Sequence, residues 1–187
     1  MNTSDTIAVI ARRHSCRAFQ STPVAADTLK VIAEAGVRSP SAVNRQPWHL
    51  TVVTDQADLQ LINDAGLANL KAFDQASFDR IQARGGRLLY GAPAMIIIST
   101  KAMSDAFPVS MDAGIVAATV TLAATSLGLD SCIAALPGLA FQTDQNAALR
   151  DKLIPAGHDF AVAVLLGYGV KPGAAPHEPD FAKISYA

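Results

Sequence analysis

The sequence predicts an α+β domain over residues 1–187, and three observations predict it. Four short runs rich in β-branched and aliphatic residues, at 48–54, 94–99, 131–136 and 160–166, read as strands. Between them lie segments with apolar residues at helical spacing and capping residues at their starts. The third observation is the stretch 110–127, SMDAGIVAATVTLAATSL, which carries one charge, Asp112, and is apolar or small on every face. A helix that is apolar all round is buried, in protein or in a membrane. This one holds three threonines and two serines and stops at Gly128, short of the roughly 20 apolar residues a membrane span needs. It reads as the central core helix, with Ser110 as N-cap, Pro108 just before it and Gly128 as a left-handed stop.

In chain order, Ser4 or Asp5 caps a first helix through Arg13, with Ile7, Ile10 and Ala11 on its inner face. Three arginines follow among six residues, Arg12, Arg13 and Arg17, at a helix end leading into an extended stretch toward Pro23. A solvated basic patch is the plain reading. Their position also allows the guanidinium forks, with Ser15, to converge on one anion. Asp27 caps a second helix that faces Leu29, Ile32 and Ala33 inward and ends at Gly36. The loop 38–50 is stiffened by Pro40 and Pro47 and carries Ser39, Ser41, Asn44 and Gln46. So many short polar groups on a rigid loop read as a binding loop.

After the strand 48–54, Thr54 or Asp55 caps a helix with Leu59, Ile62 and Ala65 inward, ended by Gly66. Residues 67–84 show a loose helical stripe among polar residues and read as a cover or lid, followed by Gly85, Gly86 and Arg87. Strands 94–99 (AMIIIS) and 160–166 (FAVAVLL) are continuously apolar, which suggests helices on both faces of the sheet. Thr143 or Asp144 caps a helix to Leu153. The terminal stretch 168–187, rich in proline and glycine, reads as an extended arm lying along a surface.

Composition narrows function. Hydrophobic residues make up 50% of the chain and charged ones 17%, an apolar excess that suggests a subunit interface. The net charge of −1 makes no case for nucleic acid. Cys16 and Cys132 match no metal or CxxC spacing, and His14, His49, His158 and His177 show no metal pattern. The N-terminus lacks the apolar core of a signal peptide, so a reducing cytoplasm is the expected compartment. GYGVKP at 167–172 lacks the third glycine and following helix of a dinucleotide fingerprint, and P-loop, HExxH and GxSxG motifs are absent. Clustered arginines, a stiff polar loop and no acid–base pair describe a protein whose bound cofactor carries the reaction.

RRHSCRAF (12–19) and SPSAVNRQPWHL (39–50) together closely resemble the two N-terminal signatures of the nitroreductase family of flavin enzymes, and their spacing matches. GLDSCIAAL (128–136) and the strand ending in LLGYG (165–169) resemble later landmarks of that family, so the likeness runs along nearly the whole chain. It implies a four- to five-stranded, mainly antiparallel sheet flanked by helices, and an intertwined homodimer with FMN in each of two interface clefts. It also implies NAD(P)H as co-substrate, hydride transfer to flavin N5, and ping-pong passage of electrons to a small acceptor such as a nitroaromatic or quinone.

Residue by residue, the resemblance implies an FMN site formed by Arg12, Arg13, His14, Ser15 and Arg17, with Arg13 at the phosphate and Arg17 at the pyrimidine edge. Pro40, Ser41, Ala42 and Asn44 match the loop that the second subunit contributes beneath the ring. Arg87, or Arg84, is the candidate from the 67–91 segment, and Lys183 stands where the family has a C-terminal basic pair. Ala135 and Leu136 replace the Glu-Gly pair of many relatives, which leaves a backbone contact near N5 but no carboxylate. No side chain is assigned as catalytic, because the flavin carries the chemistry. Two other readings stay open: a protein that senses or stores FMN without turnover, and a family branch with another reductive task.

Overall fold

The computed structural model describes residues 5–101, 109–171, 176 and 178–186. The chain runs α1 (Asp5–Arg12), α2 (Ala26–Val37), β1 (Trp48–Val53), α3 (Gln56–Phe73), α4 (Gln75–Gln82) and β2 (Ala94–Lys101). It continues through α5 (Val109–Ser126), β3 (Asp130–Ala134), α6 (Ala147–Leu153) and β4 (His158–Gly167). The strands form one sheet in the order β1-β2-β4-β3 with every neighbouring pair antiparallel. Trp48 pairs with Thr100 and Val53 with Met95, while a bulge between Ile98 and Ser99 shifts the β2–β4 register.

The continuous apolar run of β2 is explained by its two-residue side-chain period. Met95 and Ile97 enter one core layer with Leu59 and Ile62 of α3 and Leu165 of β4. Ala94, Ile96 and Ile98 enter the opposite layer with Leu29 and Ile32 of α2 and Val116, Ala117 and Val120 of α5. Helices on both faces therefore bury every β2 residue except Lys101. The C-terminus of α5 closes in a Schellman motif: Gly128 has φ 77°, its N–H donates to Thr125 O at 3.2 Å, and Leu129 N–H donates to Ala124 O at 2.9 Å.

Several local expectations are corrected. Ala25 occupies the N-cap of α2 without a side-chain bond, and Asp27 sits inside the first turn, where its charge complements the helix dipole. α2 ends at Val37, one residue past Gly36, whereas Gly66 does not end α3; both glycines are sites of close packing. A Cβ on Gly36 would stand 2.8 Å from Leu50 Cδ2 and from Val120 Cγ2, and one on Gly66 would stand 2.7 Å from Leu88 Cδ1. α3 therefore continues to Phe73, with Asp55 as its cap, accepting from Ala57 N and Asp58 N at 2.8 and 3.1 Å. α6 starts at Ala147, after a 3₁₀ turn at Asp144–Asn146 that takes up the expected first turn.

Within one chain, α1 and α5 are less covered than expected. α1 buries no residue, with Ile7 54% and Ile10 49% exposed, because α2 and α5 already fill that layer beside the sheet. α5 is long and apolar enough to pass for a membrane span, yet it packs on the sheet through Ala113, Val116, Ala117, Val120 and Ala124. Its opposite stripe, Ser110, Met111, Gly114 and Ala118, is exposed, so burial on every face does not hold in the single chain. Ser110 lies inside α5, while Ser4, the alternative cap of α1, and Pro108, expected just before α5, fall outside the described residues.

Candidate active site

After α1 ends, residues 13–20 are fastened against the sheet. Ser15 forms a parallel bridge with Ser131, and Cys16 N–H donates to Ser131 O at 2.9 Å. Further on, Phe19 N–H donates to Tyr90 O at 3.2 Å, Gln20 N–H to Tyr168 O at 2.8 Å, and Val170 N–H to Ala18 O at 3.0 Å. Asp130 ties the same region together. One carboxylate oxygen accepts Gly169 N–H at 2.8 Å, and the other lies 3.5 Å from His14 Nε2. A Cβ on Gly169 would meet Asp130 Oδ2 at 2.6 Å, so the second glycine of GYG serves this close approach and not a phosphate. The arginine-bearing segment is thus a backbone-anchored strip.

Between this strip and the 81–91 segment lies a cleft of about 440 Å³. Arg17, Arg84 and Arg87 line it together with Ile81, Leu88, Tyr90, Leu136 and Val170. No carboxylate is in the lining, and among the described residues none lies within ion-pair distance of the three guanidiniums. α4 and the turn after it form one wall. Asp74 caps α4 by accepting Ser77 N–H at 2.9 Å; the hydrogen bond its carboxylate accepts from the Ser77 hydroxyl, and then this backbone bond, hold the Asp74 carboxyl below its ordinary pKa. Gly85 and Gly86, at φ 93° and 65°, make the turn, and Asn63 pins it by accepting Leu88 N–H at 2.9 Å. Cations, no acid and apolar walls suit a flat ring system that carries or acquires negative charge.

Behind the strip sit the two cysteines, both buried. Burial pushes the Cys132 thiol up, and the positive charges of Arg17 and Arg13 oppose that shift in part. The Cys16 thiol is likewise raised by burial, partly offset by a backbone hydrogen bond at Ala18. Neither thiol has the lowered pKa of a reactive nucleophile.

The 38–47 loop is built on α5. Ser39 Oγ donates to Thr119 Oγ1 at 2.9 Å, Ala42 N–H donates to the buried Asp112 at 3.2 Å, and Ser41 Oγ accepts Gln46 N–H at 2.9 Å. Val43, Asn44 and Gln46 adopt φ of 47°, 56° and 47°. Non-glycine residues rarely enter that region, and such strain concentrates at functional sites. Pro40 and Asn44 are exposed and Ser41 and Ala42 half-buried. None of the four lines the arginine cleft of the same chain.

The other expected residues divide. Leu136 reaches the cleft, whereas Ala135 lines a separate hollow beside Phe141 and Arg150. Arg12 ends α1, Arg13, His14 and Ser15 lie on the strip, and none of the four lines the cleft. Lys183 stands on the exposed C-terminal stretch, 3.9 Å from Asp180, away from the cleft of its own chain. Sequence reasoning missed Ile81, Leu88, Tyr90 and Val170 as cleft walls; the Gly85-Gly86 turn was the available signal for the first two. Among the described residues, no group of three or more His, Cys, Asp or Glu side chains is placed to hold a metal ion.

The family model described as the nitroreductase family matches residues 10–168 of the chain. A nitroreductase from Desulfitobacterium hafniense, solved with bound FMN, is 39% identical with a TM-score of 0.92 and matches the whole of both chains. A Bacteroides fragilis nitroreductase with bound FMN is 28% identical with a TM-score of 0.87, covering 99% of this chain and 100% of that one. Nitroreductase NfnB of Mycolicibacterium smegmatis is 26% identical over 197 residues, covering 86% of this chain and 81% of its own length.

Proposed function

The chain belongs to the nitroreductase family, and from that premise we propose that it is an FMN-dependent oxidoreductase that takes reducing equivalents from NAD(P)H and delivers them to a small organic acceptor. The observation that carries this reading is the acid-free cleft with Arg17, Arg84 and Arg87 around apolar walls. Its donor set fits FMN: guanidiniums for a phosphate and for the electron-rich edge of the ring, and Leu136, Tyr90 and Ile81 for the flat ring itself. When bound, FMN supplies the hydride and electron chemistry, taken up from one substrate and passed to the next in ping-pong order, with nitroaromatics and quinones as the acceptor classes.

The protein's own part is placement. Arg13, at the end of α1, holds the phosphate. Arg17, fixed by the β-bridges on either side of it, presents positive charge where the reduced ring gathers negative charge, an interaction that strengthens only on reduction. Ser15 and the backbone of 12–15 complete the near side. The strained loop carrying Pro40, Ser41, Ala42 and Asn44 serves the cleft of the second subunit, because it does not reach the cleft of its own. Exposed Ile7, Ile10 and Met111 then become buried in a homodimer, and Lys183 is placed on an arm that extends from each subunit. With Ala135 where many relatives have Glu, no carboxylate stands there, and Leu136 in the place of the Gly adds an apolar wall beside the ring.

The visible spectrum of the purified protein tests the reading. A yellow protein holding about one FMN per subunit, bleached by anaerobic NADH or NADPH and recoloured by a quinone, is the expected result. A colourless protein that takes up no added FMN at micromolar concentration overturns it.

A further inference from the structure

Resting on that reading, we propose that Asp130 is a positioning residue of the flavin site: it holds both ends of the strip between His14 and Phe19 and so sets where Arg17 meets the reduced ring. Asp130 opens β3 directly after the Gly128-Leu129 close of α5, and it pairs with Gly167 of β4, so two elements fix its backbone. Its half-buried carboxylate reaches in two directions. Oδ1 lies 3.5 Å from His14 Nε2, at the start of the strip, and Oδ2 accepts Gly169 N–H at 2.8 Å. Gly169 is the antiparallel bridge partner of Phe19, and its carbonyl oxygen accepts Gln20 Nε2 at 2.8 Å, so it stands at the far end of the strip. One carboxylate therefore spans the segment that carries Arg17.

Chain geometry says what this bridge controls. An extended residue advances about 3.3 Å, so Arg13 and Arg17 stand at most about 13 Å apart, and a strip free to buckle brings them closer. Among the described residues no carboxylate lies within ion-pair distance of Arg17, so its backbone sets its place. On one side Cys16 N–H donates to Ser131 O at 2.9 Å; on the other Ala18 O accepts Val170 N–H at 3.0 Å. The second bond depends on the 168–170 stretch, which Asp130 holds through Gly169. Val170 also lines the cleft, so slack at Gly169 moves a wall together with the arginine. The fit is close, because a Cβ on Gly169 would stand 2.6 Å from Oδ2. A group that stabilises a developing charge acts only when held within about half an ångström of its place. Asp130 supplies that hold without touching the flavin.

The midpoint potential of the FMN-loaded enzyme tests this role. Asp130→Ala should lower it by about 30 mV, a tenfold change in a two-electron equilibrium, the direction expected of a displaced Arg17. Asp130→Asn keeps a carbonyl for Gly169 N–H and an amide facing His14 Nε2, and should stay within about twofold of the parent, roughly 10 mV. In an Arg17→Ala background Asp130→Ala should add nothing, because the residue it positions is gone. Gly169→Ala, which crowds Oδ2 from the other side, should lower the potential as Asp130→Ala does, and it carries the comparison if Asp130→Ala loses its flavin. A direct field from Asp130 on the ring requires the opposite sign: the potential then rises in Asp130→Ala and Asp130→Asn alike, which overturns the proposal. A drop that persists in full without Arg17, or an unmoved potential in Asp130→Ala or Gly169→Ala, overturns it as well. Loss of folding in both variants assigns Asp130 to the fold alone, with the same consequence. An unmoved potential in Arg17→Ala removes the role that Asp130 serves, while a yellow, NAD(P)H-reducible enzyme keeps the functional reading. A parent that takes up no FMN removes both.

Discussion

Arg13 and Arg17 are four positions apart, and the proposal gives them separate duties toward FMN. Arg13 is half-buried where α1 ends, and Arg17 is exposed on the strip and lines the cleft. A phosphate carries the same charge in both redox states of FMN, so a residue bound to it affects affinity in each state equally. A residue at the ring edge favours the reduced state, where negative charge collects. Arg13→Ala should weaken FMN binding by about ten- to a hundredfold with the midpoint potential nearly unmoved. Arg17→Ala should lower the potential by some tens of millivolts, 30 mV being about a tenfold change in a two-electron equilibrium. Titration of FMN and of potential in both variants decides; an unmoved potential in Arg17→Ala would withdraw its role at the ring edge.

Among the elements, α3 shows how packing overrides a local stop signal. Glycine is a poor helix residue by roughly 1 kcal/mol relative to alanine, and a helix reading ends there. Gly66 instead lets α3 run past Leu88, which is 2% exposed, and past the backbone of Leu136 and Ala140. Because Leu88 is a cleft wall and is fixed by Asn63, displacing it disturbs the site as well as the core. Gly66→Ala should therefore destabilise by about 1–3 kcal/mol despite its better helix propensity, seen as a lower Tm, and should weaken FMN binding. A gain in stability would show that propensity, and not packing, governs this position. The strained loop 43–46 tells a parallel story: its φ values persist because Asp112 of α5 and the Ser41 hydroxyl hold the backbone from outside.

The whole molecule carries a sheet covered on both faces and, beyond it, apolar surface that one chain does not use. Ile7, Ile10, Met111, Phe181, Ile184 and Tyr186 are each roughly half exposed or more. We propose that this apolar exposure is covered in a subunit interface, with the 38–47 loop serving the second subunit's cleft. The protein should sediment as a dimer at all working concentrations, with no stable folded monomer, since such obligate interfaces bury upward of roughly 2,000 Å². A folded, flavin-loaded monomer in sedimentation would exclude the two-subunit site. Ile7→Asp together with Ile10→Asp should shift the equilibrium toward monomer and release FMN in parallel.

What the sequence determined by itself is the local and periodic part. The unbroken apolar run of β2, a cap for α3 at Thr54 or Asp55 and the Gly128 stop depend on neighbours within a few positions, so they are legible without a fold. The paired motifs around Arg13 and Asn44 likewise carried the family, and with it the antiparallel sheet. Tertiary structure alone decided which residues meet. Arg17 and Arg84 are separated by the whole of α2, β1, α3 and α4, and the anchoring of the 13–20 strip beside Tyr90 brings them to one cleft. It also decided what Gly36 and Gly66 are for, because a glycine that stops a helix and one that admits a neighbour look the same in a sequence. The difference lies in the side chain that approaches, and that side chain comes from elsewhere in the chain.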